Sequence, residues 1–430
     1  MKMNREEMNF ESDSGESCAE YTSLSRRGFL GSTAAIGATS VSQLAFGAGR
    51  GSDRTRDVLV VVYLRGGMDG LTAVAPYGDA DLYNARPTLA INPPGQTNGA
   101  LDLDGFFGLA PSCAELLPAF QAGDLALVHA AGSTDPSRSH FTAQHRMETG
   151  TPNFGQTTIS DGWIGRHLQT TAPVGAGDLR ALAVQSLLPR SMSGGPGALP
   201  ANDPANFNFP GAPGLSGALR SVIETSYQRS ADPLKSAASS SLSAIDLLAS
   251  VDFANYQPAN GATYPGGDFG TKLVSAAAMI KADIGLECIE VDIPQWDHHA
   301  AMGPVNGILA LKLADLSAGL NAFYTDLSAE LGRVTLVVKS EFGRRVAENG
   351  SAGTDHGHGG LMMVLGGNVN GGQVHGQWPG LDPVSLGNGD LPITTDYRDV
   401  LAEILALRLG NTSLQDVFPQ HTPQFPGVVS

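Results

Sequence analysis

The stretch Val58-Leu59-Val60-Val61-Val62-Tyr63-Leu64, entered from Asp57, is a continuous apolar run rich in β-branched residues. Lacking polar alternation, such a strand has no face to offer to water and is expected where both faces are covered. Leu125–Ala130, Leu182–Val184, Val334–Val338 and Leu361–Leu365 read the same way. Cys288–Ile293 alternates, so it reads as an edge or half-covered strand. Between the strands lie helical stretches: Val305 to Leu331, followed by Gly332, and Tyr397 to Leu409, closed by Gly410. This alternation predicts an α/β fold: a mostly parallel, doubly wound sheet with helices on both faces. From about 189 to 270 the chain is rich in Gly, Pro, Ser, Ala and Asn, with helical patches at Ser216–Gln228 and Leu234–Val251. That composition suits an irregular insertion or cap over the sheet better than a component of it.

The N-terminus is of another kind. Ser25-Arg26-Arg27-Gly28-Phe29-Leu30 joins an arginine pair to the weakly apolar run Gly31–Leu44, and Ala45, Gly47 and Ala48 offer a small-residue exit. A charged region, a short apolar region and a small-residue site define a targeting peptide, and the arginine pair points to the twin-arginine route. The expected product is periplasmic or secreted, with the twin-arginine translocase as a partner during export. Residues 1–48 are thus an extension and signal, 57–410 a single α/β domain with the insertion at about 189–270, and 411–430 a C-terminal tail. No later stretch is long and apolar enough to span a bilayer. A formal net charge of -16 argues against nucleic acid and anionic membrane surfaces as partners. Cys113 and Cys288 could pair, but they do not make a disulfide framework.

Open α/β sheets place ligands outside the C-terminal ends of their strands. Polar clusters follow these strands: Arg65-Gly66-Gly67-Met68-Asp69-Gly70, Thr134-Asp135-Pro136-Ser137-Arg138-Ser139-His140-Phe141, Trp296-Asp297-His298-His299, and Ser340-Glu341-Phe342-Gly343-Arg344 with Thr354-Asp355-His356-Gly357-His358-Gly359. Imidazole and carboxylate are ligands shared by zinc, manganese and iron. The densest set is Asp355, His356 and His358, whose glycines let the backbone bend toward one point. Asp297 and His299 supply a second carboxylate and imidazole, Asp69 a short carboxylate at a tight turn, and Glu341 joins the pool. A hydroxyl within Ser137-Arg138-Ser139-His140, at a helix start, would face backbone N–H groups and the positive end of the dipole. Arg138 could hold an anion's oxygens there. An ordinary N-cap remains the structural alternative for this segment. His129, His145, His167, His375 and His421 stand outside any cluster and read as structural.

Several of these motifs together are similar to a large family of twin-arginine-exported bacterial proteins, catalogued as a domain of unknown function and grouped with the alkaline phosphatase and sulfatase superfamily. They are Leu64–Leu71, Ser137–Phe141, Gly162-Trp163-Ile164-Gly165-Arg166, Trp296–His299, Ser340–Arg344, Asp355–Gly360 and Thr395–Asp399. The superfamily resemblance implies a two-metal site with a hydroxyl nucleophile at a helix start, acting on phosphate or sulfate esters. Asp69 would be the ligand after the first strand, Asp297 and His299 the middle pair and His358 the final histidine. Val337–Gly343 resembles the strand that ends in Ser-Asp-His-Gly, but Phe342 stands where the superfamily has a metal-binding His. Thr134 occupies the position of the modified cysteine in a sulfatase-like signature, and threonine cannot become formylglycine, which excludes a conventional sulfatase mechanism.

The reading is therefore an exported metal-dependent hydrolase of phosphate or sulfate esters that takes an anionic ester substrate and one or two divalent ions, zinc foremost. Its nucleophile is Ser139, with Ser137 or Thr134 as alternatives, assisted by Arg138 and His140. The rival is a non-catalytic secreted binding or assembly protein, with a protein partner, that keeps the same fold. No Gly-x-Gly-x-x-Gly fingerprint follows the first strand, which places an oxidoreductase last.

Overall fold

The computed structural model describes residues 57–152, 159–173, 178–208, 214–232 and 234–430. The stretch read as an export signal, within residues 1–48, lies outside the described residues. In chain order the principal strands are β1 (Val58–Leu64), β2 (Leu125–Gly132), β3 (Ala181–Ala183), β4 (Ala198–Pro200), β5 (Cys288–Ile293), β6 (Val334–Ser340), β7 (Gly360–Gly366), β8 (Val374–His375) and β9 (Thr395–Asp396). They form one sheet in the order β8-β2-β7-β6-β1-β5-β3-β4, with β9 also on β2. Every pairing is parallel except those of β7, which runs antiparallel to both β2 and β6.

β1 sits between β5 and β6, with all seven of its residues buried. Val58, Val60, Val62 and Leu64 point into one core layer and Leu59, Val61 and Tyr63 into the other, which is why the run needs no polar alternation. Helices α5 (Asp268–Lys281) and α6 (Ile308–Asp326) cover the first face through Leu273, Ala277, Leu309, Leu313 and Leu320. Helices α2 (Trp163–Thr170) and α7 (Tyr397–Leu407) cover the second through Trp163, Ile164, Leu168, Val400 and Ile404. The doubly wound α/β class read from the sequence is the observed one. Three further long helices are α1 (His140–Thr149), α3 (Ser216–Gln228) and α4 (Leu234–Ala249), the last two inside the 189–270 insertion.

The structure corrects three local expectations. Cys288–Ile293 is not an edge strand: β5 lies between β1 and β3, and its Glu290 is fully buried, so the alternation reports a buried charge network instead of a wet face. The insertion contributes β4, which pairs with β3 and extends the sheet by one strand. In the C-terminal tail, 411–430, Val417, Phe418, Val428 and Val429 are buried in the second core layer. Cys113 and Cys288 are both free; they belong to core layers on opposite faces of the sheet.

The antiparallel course of β7 is what gathers the polar clusters at one edge. Its first residue, Gly360, pairs with Ala131 near the end of β2, and its later Met363 pairs with Val338 of β6. The segment entering β7 therefore emerges at the edge where β1, β2, β5 and β6 end. Asp355–His358 precede β7, yet they meet the residues that follow the other strands.

Candidate metal centre

Asp297, just past β5, is the hub of this edge. Its Oδ1 lies 3.0 Å from His299 Nε2 and 3.1 Å from His356 Nε2, and it accepts a hydrogen bond from Arg344 Nη2 at 2.6 Å. Its Oδ2 lies 3.3 Å from His140 Nε2. Burial works against ionisation of Asp297, but His140, His356 and Arg344 together hold its carboxyl far below the usual carboxylate range. His299 and His356 approach to 2.9 Å through their Nε2 atoms. His140, Asp297 and His356 can each turn one ligand atom to lie within 4.8 Å of the others.

Each arm has its own support. His140 is the first residue of α1, and its Nδ1 lies 2.7 Å from Glu341 Oε1. Glu341 is buried and also accepts from Gly66 N at 2.8 Å and Gln144 Nε2 at 2.9 Å. Burial of His140 favours its neutral form, but the Asp297 and Glu341 carboxylates outweigh it and raise its pKa to about 9. The Nδ1 of His356 lies 2.7 Å from the Arg138 carbonyl, which leaves Nε2 for the centre. His299 is backed by Asp355, whose Oδ1 lies 3.1 Å from Nδ1 and also accepts from Asn349 at 3.0 Å. Phe342 is buried with its ring 4.9 Å from each of the His140 and His356 rings, an apolar wall against both.

These residues suit a metal ion. Ligands about 2.1 Å from a tetrahedral zinc stand about 3.4 Å apart, close to the separations around Asp297. The set of imidazoles with one carboxylate is one that zinc and neighbouring transition metals accept. His140 Nε2 is buried, meets no hydrogen-bond criterion, and has Asp297 Oδ2 3.3 Å away at the same point. Each imidazole has an oxygen behind its other nitrogen, the arrangement that orients a ligating histidine.

Of the sequence candidates, the structure brings together Asp297, His299 and His356, with Asp355 and Glu341 behind them, and adds His140, which the sequence reading placed among catalytic groups. Asp69 does not join them. It is buried, receives Arg86 Nη1 at 2.6 Å and Nη2 at 3.0 Å, and accepts from the Thr72 hydroxyl at 2.8 Å, so its oxygens are committed. His358 also turns elsewhere: its Nδ1 lies 2.9 Å from Asp390 Oδ2 and its Nε2 3.1 Å from the Pro136 carbonyl. Ser139 is the exposed N-cap of α1, and its side chain makes no capping bond. Arg138 pairs with Asp390 through Nη2, while its Nε is buried without a partner. Sequence reasoning assigned nothing to Arg344, Arg86 or Asp390. Each is nearly fully buried, and a lone charged residue in a loop carries no local pattern that announces burial.

The chain is similar to solved structures at low identity. Alkaline phosphatase from the Antarctic bacterium TAB5 is 9% identical over 73% of this chain and 92% of that chain, with a TM-score of 0.31. Phosphonate monoester hydrolase of Agrobacterium radiobacter is 11% identical over 86% of this chain and 79% of that chain, with a TM-score of 0.31. Ps i-CgsB, in complex with k-i-k-neocarrahexaose, is 11% identical over 87% of this chain and 76% of that chain, with a TM-score of 0.34. No curated protein matches the chain. The family comparison matches residues 56–412, and the chain belongs to DUF1501, a family of proteins of unknown function.

Proposed function

We propose that this protein is an exported, metal-dependent hydrolase of phosphate or sulfate esters. The observation that carries the reading is the meeting of His140, Asp297 and His356 from three distant stretches of chain, with ligand atoms within 4.8 Å of one another. His140, Asp297 and His356 would hold one divalent ion, zinc by preference, with His299 as a further ligand. Such an ion supplies Lewis-acid polarisation of the ester oxygens and lowers the pKa of a bound hydroxyl. Glu341 and the Arg138 carbonyl keep the His140 and His356 rings turned inward. Ser139 offers an uncommitted hydroxyl at the start of a ten-residue helix, where amide groups and the dipole favour negative charge. Arg138, one residue earlier, retains a free Nε for an anionic oxygen.

Metal analysis of purified, unchelated protein is the first test. About one equivalent of a divalent transition metal is expected, falling in His140→Ala and His356→Ala, in keeping with the ligand requirement of such sites. Metal-free wild type would overturn the reading. Ser139→Ala should abolish ester hydrolysis without altering the far-ultraviolet circular dichroism spectrum; full activity would move the nucleophile to Ser137 or Thr134.

A non-catalytic binding role is the second reading. Phe342 between two imidazoles and Arg344 on Asp297 favour it, since both occupy space and charge that a second ion would need. Tight metal binding without turnover on any phosphate or sulfate ester would select it.

A further inference from the structure

Beside the metal centre lies a cavity of about 180 Å³, lined among others by Thr134, Pro136, His358, Asp390, Pro392 and Ile393. Two rungs of contact set its position. The His356 ring meets the carbonyl of Arg138, and the His358 ring meets that of Pro136. Stepping from the first rung to the second moves two residues along each segment, which span at most about 7 Å. The cavity is thus about one small molecule's length from the centre.

Its walls decide what it would take. Pro136, Leu391, Pro392 and Ile393 supply apolar surface. Several nearby polar groups are already used: the Ser133 hydroxyl accepts from Asp135 N at 3.2 Å, the Leu391 carbonyl from Gly359 N at 2.9 Å and the Gly387 carbonyl from Asp390 N at 3.2 Å. Asp135, also in the lining, and Asp390 each keep one buried oxygen with no hydrogen-bond partner and an arginine nitrogen 3.6 Å away. Those two oxygens could take one or two hydroxyl donors, but a sugar, with a hydroxyl on nearly every carbon, would turn its others against Pro136, Leu391, Pro392 and Ile393, at a cost for each left unpaired. An apolar cavity of about 150 Å³ accepts benzene, so this one has room for a single ring and not for two. Asp390 shapes the wall nearest the centre. Buried itself, it takes Arg138 and His358 on one oxygen and has Arg345 Nε 3.6 Å from the other, so a single carboxylate sets the directions of three cationic or N–H-bearing side chains.

We infer that this cavity is the seat of the organic part of the substrate, a single aryl-type ring, and that Asp390 is the positioning residue that builds the wall between ring and reacting group. The word substrate rests on the hydrolase reading; the cavity's preference for a ring does not, and the two can fail separately.

The test follows 4-fluorophenol by fluorine NMR on the purified protein, before and after chelation of metal. It should bind wild type in both conditions, because the lining residues are not the proposed ligands. Ile393→Trp, which fills the cavity, and Thr134→Tyr, which crowds its exposed rim, should each weaken binding about tenfold or more. Competition by phenyl phosphate at the same site would support placement of an ester there. Lack of 4-fluorophenol binding to wild type, unchanged affinity in both folded variants, or binding of methyl glucoside in its place would overturn the inference. Retained phenol binding in a protein that holds no metal and hydrolyses no ester would sink the hydrolase reading alone.

Discussion

Asp69 and Asp297 follow neighbouring strands, β1 and β5, and each is paired with a buried arginine, yet their surroundings part them. Asp69 is 3% exposed and grips Arg86 through both oxygens, whereas the Asp297 side chain is 41% exposed and gives Arg344 only one oxygen, leaving the other to face His140. A carboxylate sealed into a two-pronged pair has no valence left for an ion, while one braced by an arginine from behind and open in front does. Pairing with arginine is thus compatible with either role, and what separates them is how many oxygens the pair consumes.

The largest effect should come from breaking the sealed pair. Arg86→Met strands a buried carboxylate and should cost about 3–5 kcal/mol of stability while leaving metal content per folded molecule unchanged. Urea denaturation with metal analysis on the folded fraction checks both. Loss of metal from that variant would show that Asp69 serves the centre after all.

The same buried region should be sensitive to acid. Burial depresses the pKa of His129 to about 4, despite its bond with the Val74 carbonyl and the nearby Asp69 charge. Its unfolded value is near 6.5, so as pH falls from about 6.5 to 4 the unfolded chain binds the proton first and stability drops, on the order of 3 kcal/mol in all. The Asp69 carboxyl is opposed by burial but held below its usual value by Arg86, and its contribution is present above an unfolded pKa near 3.9 and lost as pH falls through the lower folded value. Equilibrium unfolding followed from pH 7 to 4 reads this. In His129→Gln the decline between 6.5 and 4 should be shallower, and an unchanged slope would remove His129 as its source.

At the open site, the effects should fall on metal and not on folding. Asp297→Asn should lower metal affinity about 100-fold or more, the upper range seen when even an outer-shell partner is lost, with little change in the urea midpoint. Equal loss of stability in this variant and in Arg86→Met would erase the distinction between the two sites. The smallest effect is expected for Glu341→Gln, which keeps a hydrogen-bond acceptor for His140 but removes the charge behind it, at a cost of about tenfold in affinity. Competition against a chromophoric chelator measures both.

Much of this architecture was legible along the chain. The apolar runs are strands because a stretch without a polar face must be buried twice over, and β1, β2, β6 and β7 all obey that rule. The clusters at Asp297–His299 and Asp355–His358 were visible as chemistry because imidazoles and carboxylates crowd there without an apolar period to explain them. Phe342 was legible as a departure from a resemblance, though only its contacts with two rings show that it forms a wall. Asp69 was ambiguous: a carboxylate between glycines looks the same whether an ion or an arginine completes it, and Arg86 lies 17 residues away.

Local order thus determined that this chain forms a layered α/β sheet and that its polar chemistry sits in loops at strand ends. Tertiary structure decided which loops meet. The reversed direction of β7 carries Asp355–His358 to the edge where the other strands finish; a parallel β7 would have left them at the opposite edge. Strand direction is set by pairing partners far away in the chain, and the hydrophobic pattern of a strand reads the same from either end. That symmetry is why no inspection of Gly360–Gly366 alone could have placed His356 beside Asp297.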